Sequence, residues 1–319
     1  AIDLVRLALF QEQKRMPLRR DEISKKVTGS QRGAFKAIFE EAQKILRNTF
    51  GMELVELPTR AATHDTANGE GGDRQTVTGL KKKAIVQGSK TYILRSTLDP
   101  VLIERAALTN KPIIESEAAE MPDDVDDTEP GARTYGSLIA WNSSDQLAAL
   151  GILHVILTLI LVNGKVISDM DLRMFLRRLR LRPPTQLALP THTPHRTLTL
   201  DAYLLQLQRQ GYLDRSRLGA TSGGGGAAQG GGGGEENDVA WEWRWGPRAA
   251  AEIGEAAVAQ FVAEFMAERA SRAGNGEGSD EDVGRRKTKA YREDARKRLA
   301  ALLRSVERAA GGELAGVSV

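Results

Sequence analysis

The stretch DQLAALGILHVILTLILVNGKVISDMDLRMFLRRLRLR, Asp145–Arg182, decides how this chain folds. Its first half is apolar almost all round, from Leu147 and Leu150 through Leu153, Ile156, Ile160 and Val162. A helix without a polar face must be surrounded by protein or by lipid. A bilayer span needs about 20 apolar residues. This run extends only from Ala148 to Val162, contains His154 and Thr158, and stops at Asn163-Gly164, a helix-ending pair. It therefore reads as a buried core helix. Lys165-Val166-Ile167 follows as a short strand, and Ser168 or Asp169 can cap a second helix. In that helix Leu172, Phe175, Leu176 and Leu179 fall on one face and arginines on another, until Pro183-Pro184 ends it.

Working outward, the pattern continues. A third helix spans about Thr199–Gln210 with Leu200, Tyr203, Leu204 and Leu207 inward. Tyr212–Arg217 and Val239–Trp245 read as strands, the second with Trp241, Trp243 and Trp245 alternating onto one face. Between them lies a Gly-rich insertion, 219–238, dominated by GGGGAAQGGGG. No Gly-Lys-Ser/Thr follows at P-loop spacing, so it is a flexible hairpin tip rather than a phosphate cradle. Pro247 opens a helix that continues through Phe261 and Phe265 to about Glu268.

The same order appears upstream. Ile2, Val5 and Leu9 share a helical face, Leu18 follows a short extended piece, and Asp21 caps a helix over Glu22–Val27. Phe35, Ile38, Phe39, Ala42, Ile45 and Leu46 mark a third helix, stopped by Gly51. The strands MELVELP (Met52–Pro58) and TYILR (Thr91–Arg95) flank a polar, Gly-rich insertion beginning at Thr59. Three helices with a short strand between the first two, closed by a hairpin, form a winged helix. The fold class is thus mainly α with small β-hairpins, two winged helices in tandem: domain A over 1–98, an acidic linker over 99–136, domain B over 137–272, and a disordered basic tail over 273–319. The linker is expected because the run Glu115–Glu129 cannot bury enough apolar surface to order itself. In the tail, Arg285, Arg286, Lys287, Arg296, Lys297 and Arg298 stand opposite a weak apolar face, Tyr291, Leu299, Leu302 and Val306. That composition suits a solvated tail, a partner helix, a nucleic-acid arm or a nuclear import signal alike.

Composition narrows the chemistry. The chain has 319 residues with 45 Lys and Arg against 42 Asp and Glu, a net charge of only +3, so the distribution of charge matters more than its sum. Cysteine is absent, which excludes disulfides, thiolate catalysis and Cys-type zinc sites, and fits a reducing compartment. The N-terminal apolar stretch carries Asp3 and Arg6, unlike a secretion signal, and the chain begins with Ala rather than Met, as a trimmed sequence would. The histidines, His64, His154, His192 and His195, lack the clustered co-ligands a metal site needs, and no nucleophile–base arrangement is visible, so neither metal, cofactor nor enzymatic activity is expected.

The order and spacing of LVRLALF (Leu4–Phe10), FEEAQKILRNTFGMELVEL (Phe39–Leu57), TYILRSTLDP (Thr91–Pro100), LGILHVILTLILVNGKVIS (Leu150–Ser168), RTLTLDAYLLQLQRQGYL (Arg196–Leu213) and WEWRWGPRA (Trp241–Ala249) resemble the MAGE homology domain. The pairing of LVEL with TYILRSTLDP is most similar to the branch of that family found in the SMC-five/six chromosome complex. The resemblance implies a nuclear, non-catalytic subunit that pairs with a RING-type subunit of a ubiquitin or SUMO pathway, holds a kleisin subunit and contacts double-stranded DNA. It implies a RING-binding role for the first helix, where Leu7, Leu9 and Phe10 match, although amphipathicity equally allows them to be core. For the kleisin it points to Tyr203, Leu204 and Leu207. An adaptor for a ubiquitin ligase outside any SMC complex and a sequence-specific winged-helix regulator are the alternative functions.

The DNA expectation also stands on the residues themselves. Guanidinium groups bond phosphate oxygens strongly without reading sequence. Lys165, Arg173, Arg177, Arg178, Arg180, Arg182, Arg215 and Arg217 are expected to form a non-specific duplex-binding face.

Overall fold

The structure, a computed structural model, describes residues 1–29, 32–59, 88–120, 136–138, 147–182, 186–188, 197–217, 240–274 and 287–317. Both Gly-rich insertions, the acidic stretch 121–135, and His64, His192 and His195 lie outside them. The chain divides into two compact units. One is Ala1–Val55, Tyr92–Leu153 and Pro183–Tyr203; the other is Glu56–Thr91, His154–Arg182 and Leu204–Val319.

The first winged helix runs α1 (Ile2–Gln13), β1 (Leu18–Arg19), α2 (Arg20–Ile23), α3 (Phe35–Ile45), β2 (Met52–Glu56) and β3 (Thr91–Ser96). Its sheet has the order β1-β3-β2. Leu4, Val5, Ala8, Leu18, Ile23, Ala42, Leu46, Leu54, Tyr92 and Leu94 form one buried cluster, drawn from every element at the spacing the sequence shows. Gln43 ties α3 to β2: its Nε2 donates to the Leu54 carbonyl (2.9 Å) and its Oε1 accepts from the Leu54 amide (2.7 Å). After α3 the chain widens into a π-helical turn, Leu46–Phe50, and Gly51 ends it in the left-handed region (φ 59°) that glycine enters without penalty. Asp21 does not cap α2, which starts at Arg20 without a side-chain cap.

The stretch expected as an acidic linker is helical at its start: α4 (Pro100–Ala107) and α5 (Lys111–Glu120). Asp99 accepts from the Val101 amide (2.8 Å) and Pro100 occupies the first helical turn, so local capping overrides low hydrophobicity there.

The second winged helix repeats the order with α6 (Leu147–Val162), β4 (Val166–Ser168), α7 (Asp169–Arg178), a two-stranded insertion of β5 (Gln186–Ala188) and β6 (Thr197–Thr199), α8 (Leu200–Gln210), β7 (Leu213–Arg217) and β8 (Trp241–Trp245). Its sheet runs β4-β8-β7, the same one-three-two order as the first. Leu153, Ile156, Leu157, Ile160 and Leu161 of α6 are buried, as a core helix requires. No described helix is long and apolar enough to cross a membrane. Ser168 caps α7, its Oγ accepting from the Asp171 amide (3.0 Å) and donating to the Asp171 carboxylate (2.7 Å).

The segment WGPRA has a physical explanation. The Trp245 indole donates to the Leu157 carbonyl of α6 (2.9 Å). A Cβ at Gly246 would lie 2.2 Å from the Gly211 carbonyl oxygen, so only glycine fits. Pro247 starts α9 (Pro247–Glu252), and the fully buried Arg248 donates to Glu252 (2.7 Å) with its guanidinium 5.1 Å from the Tyr212 ring centre. The helix expected to run unbroken to Glu268 instead breaks at Gly254 (φ 78°), where α10 (Glu255–Gly274) begins. Val317 passes within 2.8 Å of where a Cβ would stand on Gly254.

The tail expected to be disordered from 273 onward contains α11 (Lys287–Ala309), with Val306 and Ala310 buried. The end of the chain then crosses the start of α10. The Ala315 carbonyl accepts from the Glu255 and Ala256 amides (3.0 and 3.2 Å), satisfying donors every helix N-terminus leaves open. The apolar stripe of α11 is weak in sequence, but Val306 and Ala310 at its end are buried and the bonds to Ala315 tie the segment after it to α10.

Candidate functional site

Sequence expectation and structure part company first at Lys165. Gly164 (φ 81°) and Lys165 itself (φ 65°) turn left-handed after α6, and that turn carries the lysine inward. Its side chain is buried, with Nζ donating to Glu255 (2.8 Å) and to the Glu313 carbonyl (3.2 Å). Lys165 is thus a paired internal cation and no phosphate ligand, because an amine buried with a carboxylate cannot be spared from it.

The arginines of α7 sort by position. Arg173 is half-buried and donates through Nε to Asp169 (2.7 Å), so its charge is committed within the helix. Arg177, Arg178, Arg180 and Arg182, at the end of α7 and just beyond, are all exposed. Arg178 leans on Phe175 (5.9 Å to the ring centre), and Arg180 takes a left-handed backbone (φ 64°) that closes the helix. Two apolar side chains that sequence reasoning missed share this helix: Met170 is 77% exposed and Met174 40%. The signal was available, since both fall outside the Leu172–Leu176 stripe.

The wing presents a second cationic feature. The register pairs Arg215 with Trp243 and Arg217 with Trp241, so these four side chains rise from one face of the β7–β8 hairpin. Arg215 is half-buried, with its guanidinium 4.3 Å from the Trp241 ring centre and 5.4 Å from that of Trp243. Arg217 is exposed and 5.9 Å from Trp241. The Trp243 indole donates to Asp169 (2.8 Å). Burial alone would raise the Asp169 carboxyl, but the hydrogen bonds from Trp243 and Arg173, with the charges of Arg173 and Arg215, outweigh it and hold it below the ordinary aspartate value. Wing and α7 are joined through this carboxylate.

The partner-binding expectations fare unevenly. On α1, Leu7 and Leu9 are half-buried against the core, whereas Phe10 is 52% exposed with the Lys14 ammonium 4.3 Å above its ring. Ile2 is also exposed on this helix and was missed, because helical spacing groups it with the core stripe. Tyr203, Leu204 and Leu207 are all buried. The Tyr203 hydroxyl donates to the Ala149 carbonyl (2.5 Å). These three hold α8 in place and offer no surface, because the faces that fit helical periodicity best are the ones the core takes first. Leu205 is the exposed leucine of α8.

Comparison with known proteins gives the family. The MAGE homology domain profile matches residues 4–256. The human protein named Non-structural maintenance of chromosomes element 3 homolog is 28% identical over 82% of this chain, and its mouse counterpart 26% over the same share. The chain spans 59% of the human relative's length and 64% of the mouse relative's. A chain of the solved Nse1-Nse3-Nse4 complex superposes with a TM-score of 0.48 at 22% identity, over 82% of this chain and 86% of that one.

Proposed function

Because this chain belongs to the MAGE homology domain family, we propose that it serves as a non-catalytic subunit of an SMC-five/six-type chromosome complex in the nucleus. The similarity to two relatives named for chromosome maintenance supports the complex. In this reading the chain joins a RING-type subunit, which it stimulates as a ubiquitin ligase, to a kleisin subunit, and it contacts double-stranded DNA in support of repair. The division into domain A (1–98) and domain B (137–272) belongs to the same proposal. The RING subunit docks on α1 through the exposed Phe10 and Ile2, with the half-buried Leu7 and Leu9 of the same helix. The kleisin docks on the outer side of α8 at Leu205, since Tyr203, Leu204 and Leu207 are buried.

The observation that carries the DNA reading is the exposed row Arg177, Arg178, Arg180 and Arg182, which follows the capped, buried part of α7. Guanidinium groups presented at a helix end and in the turn after it supply phosphate contacts with no sequence preference. A sequence-specific regulator fits less well: on α8, Gln210 is buried and Gln206 and Gln208 half-buried, which leaves Arg209 as the exposed polar residue of its last turn.

Duplex titration at two salt concentrations tests the reading. Arg177→Glu and Arg178→Glu are expected to weaken binding and to lower the magnitude of the log–log salt slope by roughly 0.9 for each phosphate no longer neutralised. Unchanged affinity and slope would overturn the DNA face. Co-purification of the full chain should recover a RING-type and a kleisin subunit together; recovery of neither would overturn the subunit assignment.

A further inference from the structure

The other arginines around the second sheet are committed to carboxylates: Arg173 to Asp169 (2.7 Å), Arg244 to Glu242 (3.1 Å), Arg248 to Glu252 (2.7 Å). Arg215 and Arg217 differ. Neither forms an ion pair within 4 Å among the described residues, and the Arg215 Nε is shielded from solvent without a hydrogen-bond acceptor. Arg215 also lies 5.4 Å from the Trp243 ring centre and feels the Asp169 charge, but the ring that both arginines share is Trp241. Its indole lies 4.3 Å from the Arg215 guanidinium and 5.9 Å from that of Arg217, and it stands across the strand from Arg217 in the pairing register. Trp243 and Trp245 spend their indole N–H groups on Asp169 and on the Leu157 carbonyl and are buried in the sheet's core. Trp241 is the half-exposed tryptophan at the open end of that row.

An arginine on an aromatic face keeps its charge and its terminal donors while losing much of its rotational freedom. A flexible arginine must be ordered when it meets a phosphate; one already stacked has been ordered during folding, which favours binding. We infer that Trp241 is a positioning residue of the nucleic-acid face, holding Arg215 and Arg217 ready as a pair of phosphate donors on the wing. This inference rests on the proposed duplex binding and adds a second contact area to the α7 row, with a residue of no charge setting its strength.

The prediction separates positioning from charge. In duplex titrations with the full chain, Trp241→Ala should weaken binding by roughly two- to tenfold for each arginine released, with the salt slope unchanged because both cations remain. Arg217→Gln should instead take about 0.9 off the slope. Trp241→Phe, which keeps an aromatic face, should restore most of the affinity. In a chain already carrying Arg215→Gln and Arg217→Gln, Trp241→Ala should have no further effect, the signature of action through those arginines. If Trp241→Ala lowers the melting temperature enough to unfold the wing, Trp241→Leu against Trp241→Phe gives the same comparison. Wild-type affinity in Trp241→Ala, no rescue by Trp241→Phe, or an undiminished effect in the double-glutamine background would each overturn the inference while leaving duplex binding through α7 standing. Failure of the wild-type chain to bind duplex at all would instead remove the DNA reading itself.

Discussion

The two winged helices share one strand order, β1-β3-β2 and β4-β8-β7, yet they differ in what the arginines beside the sheet rest against. In the first, Glu53 on β2 gathers Arg47 (2.8 Å) and Arg95 (3.1 Å), so cations near the sheet are neutralised in place. In the second, Asp169 takes one arginine and one indole, and further guanidinium groups stand exposed at the end of α7 and on the wing. The same topology therefore yields one sheet whose flanking arginines share a carboxylate and another that leaves Arg215 and Arg217 against a tryptophan instead. Fold order says nothing about which surface does what; side-chain pairing does.

Core substitutions should break the comparison most sharply. Trp243→Ala removes a fully buried indole, its bond to Asp169 and the ring against Arg215, and should cost about 3–5 kcal/mol. Leu46→Ala, equally buried in the first module, should cost about 2–5 kcal/mol. Denaturant unfolding checks both, and hydrogen exchange should show each loss confined to the module that carries it. A loss spread evenly over both modules would mean that they unfold as one.

Acid titration sharpens the contrast in charge. Asp169 and Glu53 both have folded pKa values below their ordinary ones, in each case because hydrogen bonds and arginine charge outweigh burial, which acts the other way. A depressed carboxyl contributes stability that is full above its unfolded pKa, about 4 for either residue, and lost as the pH falls through the folded value. Asp169→Asn and Glu53→Gln should therefore be less stable than wild type at neutral pH and converge on it below about pH 4. Asp169 should show the larger gap, because it also loses the best acceptor for the Trp243 indole. A gap that persists unchanged into acid would assign the effect to shape rather than charge.

The smallest effect belongs to the helix cap. Ser168→Ala should lower stability by about 1 kcal/mol, and its measure is the melting temperature of the second module. The first module has no counterpart, since neither α1 nor α3 has a side-chain cap. A neutral Ser168→Ala would mean that the Asp171 amide finds water as good an acceptor.

Helical and strand periodicity was legible wherever a residue's role depends on its neighbours in sequence. The apolar run of α6, the Ser168 cap, the stop at Gly51 and the tryptophan alternation of β8 all follow from short runs of neighbouring positions, and the structure places each where local spacing puts it. The same reasoning misassigned Tyr203, Leu204 and Leu207, because a well-formed apolar face is the one a core consumes. It also left the C-terminal segment open between a solvated tail and a partner helix, since the backbone groups that bond just after that helix are ones composition does not display.

By itself the amino-acid order determined the inventory: two rounds of helix, strand, helix, helix and hairpin, with arginines on α7 and on the wing strand. Only the folded chain decided which of those cations face outward. Lys165 was withdrawn by Glu255, 90 positions away, and by the Glu313 carbonyl, 148 positions away, while Arg177 and Arg217 were left exposed. Periodicity is a property of adjacent residues, but the availability of a charge depends on every group that can reach it in space, and for Lys165 those groups arrive from the far end of the chain.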